Sequence, residues 1–171
     1  MINLRLATPD DIDTVEAIMD DACKYLGSQG LPQWQNGYGP NRASLDNDVR
    51  LGHGYVLEAD GAVRGYASLE PGPEDDYEAL QNGSWEGPGE KYAVIHRVMV
   101  DQAVRGRRIG ITILKMLVDE AHRMGFNDIR IDTYPGNTIM KKTVSQAGFT
   151  QRGEIMLNIP DGERIAYQIL L

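Results

Sequence analysis

The chain has 171 residues, a formal net charge of −8 and a single cysteine, Cys23. That length suits one domain with one sizeable core, and the acidic balance excludes a broad nucleic-acid-binding or anionic-membrane surface. One thiol excludes an internal disulfide and a cysteine metal cluster. His53, His96 and His122 lie too far apart for ligand spacing, so no metal is expected.

Residues 2–7 (INLRLA) alternate apolar and polar, as a half-buried strand does. Thr8-Pro9-Asp10-Asp11 then reads as a helix start, with Thr8 as cap and Pro9 in the first helical position. Ile12, Val15, Ile18, Met19, Ala22 and Leu26 follow at helical spacing, and Cys23 reads as a small core residue beside them. Glycines and prolines break the pattern over residues 27–42, and a short helix is expected over 42–51. Strands follow at 54–59 and 62–70, joined by the hairpin signal Asp60-Gly61.

Residues 71–90 are acidic and rich in Gly and Pro, a long loop of the kind that is functional or mobile. Its run Glu74-Asp75-Asp76 reads as a solvated loop face or as an attractor for a cationic amine. The apolar stretch 91–100 (KYAVIHRVMV) is a central strand. Helical spacing returns at Ile109, Ile113, Met116, Leu117, Ala121 and Met124, and Gly125 stops it. Residues 128–133 form a strand, Pro135-Gly136-Asn137 a turn, and a helix runs to about Ala147 before Gly148. Two strands near 149–157 and 164–170 close the chain. No stretch is long and apolar enough for a membrane helix, and the start MINLRLATPD reads as mature protein, so a soluble cytoplasmic protein is expected.

The basic knot Arg105-Gly106-Arg107-Arg108, followed by Ile109-Gly110, stands between a central strand and an amphipathic helix. A helix start offers unpaired N–H groups and the positive end of the macrodipole, and arginines add charge-assisted hydrogen bonds. That combination suits a pyrophosphate. It is neither a Walker A loop nor GxGxxG.

The segment VDQAVRGRRIGITIL resembles the coenzyme motif of the GNAT superfamily of N-acetyltransferases, Gln/Arg-x-x-Gly-x-Gly/Ala, with Arg105 first, Gly110 last and Arg108 where the middle glycine stands. IDTYPGNTIMKKTVSQAGF resembles the family's second signature, with Asn137, Gly148 and Phe149 in register. The segments Gln33-Trp34-Gln35-Asn36-Gly37-Tyr38 and Tyr92-Ala93-Val94-Ile95-His96-Arg97 resemble those of bacterial members.

The resemblance covers residues 1–171 as a single domain and implies an α/β fold: a mixed, mostly antiparallel seven-stranded sheet flanked by about four helices. It implies transfer of an acetyl group from acetyl-CoA, the co-substrate, to a primary amine of a small molecule, amino acid or peptide, by direct transfer in a ternary complex. Met99 and Val100 would meet the pantetheine arm, and the main chain of Gly106, Arg107, Arg108, Ile109 and Gly110 would hold the pyrophosphate beside Arg105. Asn137 and Met140 would face pantetheine, and Lys141 or Lys142 would reach the phosphates.

Many members place a tyrosine seven residues after the helix-opening Asn as general acid; here Val144 stands there, leaving Ser145, Tyr134 or solvent. His96 and Glu70 are the candidate bases, His96 for the range of its side-chain pKa. Trp34, Tyr38 and Trp85 lie where an acceptor wall is expected, although a hydrophobic plug would use the same residues. Homodimers are common in the family. Two rival readings are a coenzyme sensor without catalysis, favoured by Val144, and a nucleic-acid binder using Arg105–Arg108, disfavoured by the net charge.

Overall fold

A computed structural model describes residues 1–171. Its seven strands are β1 (Ile2–Leu6), β2 (Gly54–Ala59), β3 (Ala62–Pro71), β4 (Ala93–Val100), β5 (Asp128–Thr133), β6 (Thr150–Met156) and β7 (Glu163–Leu170). They form one sheet in the order β1-β2-β3-β4-β5-β7-β6. The pairs β1–β2, β2–β3, β5–β7 and β6–β7 are antiparallel and β4–β5 is parallel, so the sheet is mixed and mostly antiparallel, as expected. The helices are α1 (Ile12–Ser28), α2 (Arg42–Leu51), the single turn α3 (Asp75–Glu78), α4 (Ile109–Arg123) and α5 (Thr138–Gln146). None is long and apolar enough to cross a membrane.

The chain divides into two compact units of two segments each, Met1–Leu69 with Arg97–Ile113, and Glu70–His96 with Leu114–Leu171. In the first unit, α1 opens through a 3-10 turn at Pro9–Asp11 rather than starting at Pro9. The Asp11 carboxylate explains the tighter entry. It accepts from the Thr8 N–H at 2.8 Å and from Arg5 at 2.7 and 2.9 Å. Arg5 holds the Asp11 carboxyl down to about 2. Ile12, Val15, Ile18 and Met19 of α1 pack with Leu45, Val56, Tyr66 and Met99. Cys23 lies at the edge of that cluster, half-buried, rather than inside it. α1 continues through Gly27 to Ser28, past the expected stop. The Gln35 side chain crosses the helix there, donating to the Cys23 carbonyl at 2.9 Å, and a Cβ on Gly27 would meet its Oε1 at 2.8 Å. The β2–β3 hairpin turns on Asp60 (φ 55°) and Gly61 (φ 78°), both left-handed as a type I′ turn requires.

In the second unit, Tyr77, Tyr92, Val94, Ile155 and Ala166 form the core cluster, with Leu80, Trp85 and Leu157 against it. Residues 71–90 are therefore not a free loop, since Tyr77 on α3 is 1% exposed. Along α4, Ile109, Ile113, Leu117 and Ala121 are buried as expected, together with Ile111, Leu114 and Val118. Met116 is only half-buried, and Met124, one residue past the helix, is exposed. The stripe is thus broader and shifted from the sequence reading. Gly148 (φ 105°) reverses the chain after α5.

Candidate active site

The loop after β4 is built from its first turn upward. The Asp101 side chain accepts from the Ala103 N–H at 2.9 Å and from Arg64 at 2.7 Å, fixing the 3-10 turn Gln102–Val104. Buried Val104 and Ile109 root the two ends of the segment. Between them Gly106 (φ 82°) and Arg108 (φ 60°) are left-handed. Arg108 thus keeps the left-handed backbone that a glycine takes freely, at the position where the motif has its middle glycine. The reversals deliver the chain into α4, whose first-turn N–H groups have no partner within the helix. Arg105 lies with its guanidinium 3.5 Å over the Tyr25 ring, and Arg107 pairs with Asp60 at 2.9 Å. Arg108 is exposed. Main-chain donors, a helix N-terminus and three arginines make a donor set that suits a diphosphate.

In the second unit, His96 Nε2 lies 2.8 and 3.0 Å from the two carboxylate oxygens of Glu74. The ring stands edge-on to Tyr77, with centroids 6.0 Å apart at 83°. Burial works against its charged form, but the bond from Glu74, its charge, and the charges of Asp132 and Glu70 outweigh that and hold His96 above its ordinary value. The imidazole keeps 24% of its side-chain surface exposed. Glu70 joins the group: one ligand atom each from Glu70, Glu74 and His96 lie within 4.8 Å of one another. Two carboxylates facing one imidazole suit a cation, and equally suit an imidazolium.

Tyr77 donates to Asp132 Oδ2 at 2.6 Å, and burial, with the charge and bond of Asp132, pushes its phenol well above the ordinary value. Trp85 stacks on Tyr77 (5.8 Å, 9°) and donates to the Tyr77 carbonyl at 2.7 Å. The Arg130 guanidinium lies 4.2 Å from the Trp85 ring and 3.7 Å from the Tyr92 ring. It is held by Asp128 at 2.7 and 3.1 Å. Gln168 straps the segment down through both main-chain groups of Glu86, at 3.0 Å each. Trp85 thus packs against the second unit's core cluster. Trp34 (φ 63°) packs against the first unit's core, and Tyr38 is 51% exposed.

Asn137 caps α5, accepting from the Met140 N–H at 3.1 Å, while Lys141 donates to the Pro135 carbonyl at 3.1 Å. Val144, at the tyrosine position, is fully buried; Ser145 is exposed. Tyr134 is half-buried, with the Arg164 guanidinium 5.6 Å from its ring centroid.

Sequence alone does not pair Glu74 with His96, nor single out Tyr77, Asp132 and Asp48. One signal was present: Asp128, Arg130 and Asp132 share a face of a six-residue strand, and charges on a core strand need partners. Asp48 of α2 is buried, and takes Arg97 at 2.6 and 2.9 Å and the Tyr66 hydroxyl at 2.6 Å. Arg97, within β4, has φ 57°.

A mixed seven-stranded sheet with a helix opening after its fourth strand and an Asn-capped helix after its fifth is the architecture of the acyltransferase class. A sequence profile of the Acetyltransferase (GNAT) family matches residues 16–149, and the chain belongs to that family. It is an acetyl-CoA-dependent N-acetyltransferase. Among solved structures it is similar to a GNAT-family acetyltransferase from Streptococcus agalactiae, with TM-score 0.92 and 29% identity over 99% of this chain and 95% of that one. Its fold also matches a GNAT-family acetyltransferase from Listeria monocytogenes (TM-score 0.77, 24% identity, 99% and 95% covered). The same holds for yncA from Salmonella typhimurium, solved with acetyl-CoA (TM-score 0.67, 21% identity, 99% and 94% covered). No curated protein sequence matches the chain.

Proposed function

We propose that residues 1–171 act as one N-acetyltransferase domain. It moves the acetyl group of acetyl-CoA directly to a primary amine of a small molecule, amino acid or peptide, within a ternary complex. The observation that carries the acceptor chemistry is His96 on the Glu74 carboxylate at 2.8 and 3.0 Å. The acceptor ammonium gives its proton to His96. The amine then attacks the thioester carbonyl, the C–N bond forms, the C–S bond breaks, and coenzyme A leaves as thiolate. The second proton, shed by the nitrogen after attack, passes through Tyr134, Ser145 or solvent to that thiolate. Glu74 and Glu70 hold the imidazolium formed in the first step.

Direct transfer fits the one thiol in the chain: burial, with the charge of Asp20 adding, pushes Cys23 up and leaves it a poor acyl carrier. For the coenzyme, the main chain of Gly106–Gly110 and Arg105 take the pyrophosphate. Met99, Val100, Asn137 and Met140 take the pantetheine arm, with Lys141 near the phosphates. Trp34, Tyr38 and Trp85 border the acceptor. Acetyl-CoA is presented with a panel of primary amines and thiol release is followed across pH. The reading requires amine-dependent release with an acid limb that His96→Asn abolishes; release that is independent of amine, or a limb unchanged in the variant, refutes it.

A further inference from the structure

A strand residue ordinarily has φ near −120°. Arg97, in the middle of β4, has φ 57°, in the left-handed region that a side chain with a Cβ resists. Such a residue persists only where its surroundings over-determine it. The surroundings here are specific. Asp48, on α2 and 1% exposed, grips the Arg97 guanidinium with both carboxylate oxygens, at 2.6 and 2.9 Å. A third bond, from the Tyr66 hydroxyl of β3 at 2.6 Å, fixes the carboxylate from the other direction. The backbone of Gly54 on β2 closes the site, since a Cβ there would lie 2.9 Å from the Tyr66 hydroxyl and 3.4 Å from Asp48 Cβ. Helix α2 and strands β2 and β3 thus converge on one strand residue, all within the first unit.

We infer that Asp48 is a positioning residue for coenzyme binding: it clamps Arg97 in the left-handed conformation and thereby sets the course of the main chain from Val98 to Val100. The inference rests on the assignment of Met99 and Val100 to the pantetheine arm. A buried ion pair gives little net stability compared with apolar packing, and is better accounted for by the conformation it enforces. Arg97 is three residues from Val100, so its backbone reversal decides where the N–H and C=O groups of that stretch point.

Glycine and alanine at position 97 separate conformation from charge. Both delete the ion pair with Asp48, but only glycine takes the left-handed backbone freely. Calorimetry with coenzyme A on the full chain is expected to give Arg97→Gly an affinity within about threefold of the unsubstituted protein. Arg97→Ala is expected to lose about tenfold, the size of the left-handed penalty. Asp48→Ala should lose as much, with the acetyl-CoA KM raised and the amine KM unchanged, and Asp48→Ala combined with Arg97→Gly should recover it. If Asp48→Ala fails to fold, the Gly/Ala pair at position 97 still decides, because it leaves the Asp48–Tyr66 bond in place. Equal losses in Arg97→Gly and Arg97→Ala, with the unsubstituted protein binding normally, overturn the clamp alone. An unsubstituted protein that releases no heat with coenzyme A overturns the coenzyme assignment and the clamp together.

Discussion

Replacing Arg108 by glycine should make the protein more stable, although it deletes a large side chain. Arg108 sits at φ 60° on the exposed loop before α4. Holding an L-residue left-handed costs about 1–2 kcal/mol. Glycine avoids that cost but gives back about 0.5–1 kcal/mol of chain entropy. The net gain is about 0.5–1 kcal/mol, because the exposed side chain contributes little packing. The Arg108 carbonyl, which accepts from the Thr112 N–H and hydroxyl at 3.0 Å, is unchanged by the substitution. For a chain of this size, 1 kcal/mol shifts Tm by about 2–4 °C, so a rise of about 1–4 °C is expected. Gly106, two residues earlier, is the control of opposite sign. At φ 82°, with open space where a Cβ would stand, Gly106→Ala meets no clash and only the backbone penalty, so it should lose about 1 kcal/mol. Thermal unfolding followed by circular dichroism at neutral pH reads both. A lower Tm for Arg108→Gly, or a higher one for Gly106→Ala, would refute the claim that backbone conformation governs this loop's energy.

Glu74→Gln removes the bond and charge that favour protonated His96, so the acid limb of kcat/KM for the amine should move to lower pH. A folded-state pKa above the unfolded value means His96 stabilises the fold below its unfolded pKa and loses that contribution as pH rises through the raised one. The Tm difference between Glu74→Gln and the unsubstituted protein should therefore be largest in mild acid and narrow toward alkaline pH. Arg105→Ala should weaken coenzyme A binding with the fold intact, as judged by circular dichroism, and Gly110→Val should weaken it further by crowding the helix start against phosphate. Trp85→Ala should cost about 2–3 kcal/mol through lost stacking on Tyr77 and Arg130, whereas Tyr38→Ala should leave stability within about 0.5 kcal/mol and raise the amine KM.

What the sequence made legible was written in short-range signals. Asp60-Gly61 marks its hairpin because a type I′ turn needs two left-handed residues, and both are left-handed. Asn137 and Gly148 mark the ends of α5 because a cap and a reversal each follow from one residue's own chemistry. The turn into α4 was legible for the same reason, as glycine and arginine ahead of an apolar helix stand within six residues. What stayed hidden depends on partners far along the chain. Nothing near Asp48 announces that its carboxylate will meet Arg97, and an arginine inside an apolar strand gives no sign of a positive φ. Residues 71–90 are mostly the exposed loop that their Gly, Pro and acidic composition indicates, and what stays hidden is the docking of Tyr77, Trp85 and Glu86 onto β5 and β7.

The glycine and arginine residues before α4 are contiguous, so they stay recognisable as a motif even with Arg108 in place of glycine. The surroundings of His96 are not local. His96 was visible as a candidate, but whether it is a base or a satisfied core histidine turns on the carboxylates that face it, and Glu74 reaches it from 22 residues away. Glu74 is placed by the turn α3, which is anchored in turn by buried Tyr77 and its bond to Asp132. The proton affinity of His96 is therefore set by the packing of a segment whose composition reads as solvent-exposed. Tyr77→Phe tests this chain of dependence without substituting either member of the pair, and it keeps the ring that stands edge-on to His96. It removes the bond to Asp132, loosens α3 and lets Glu74 withdraw, so the acid limb of kcat/KM should shift the same way as in Glu74→Gln but less far. An acid limb that stays fixed in Tyr77→Phe while moving in Glu74→Gln would mean that Glu74 is placed by its own main chain, and that the anchored turn contributes only stability.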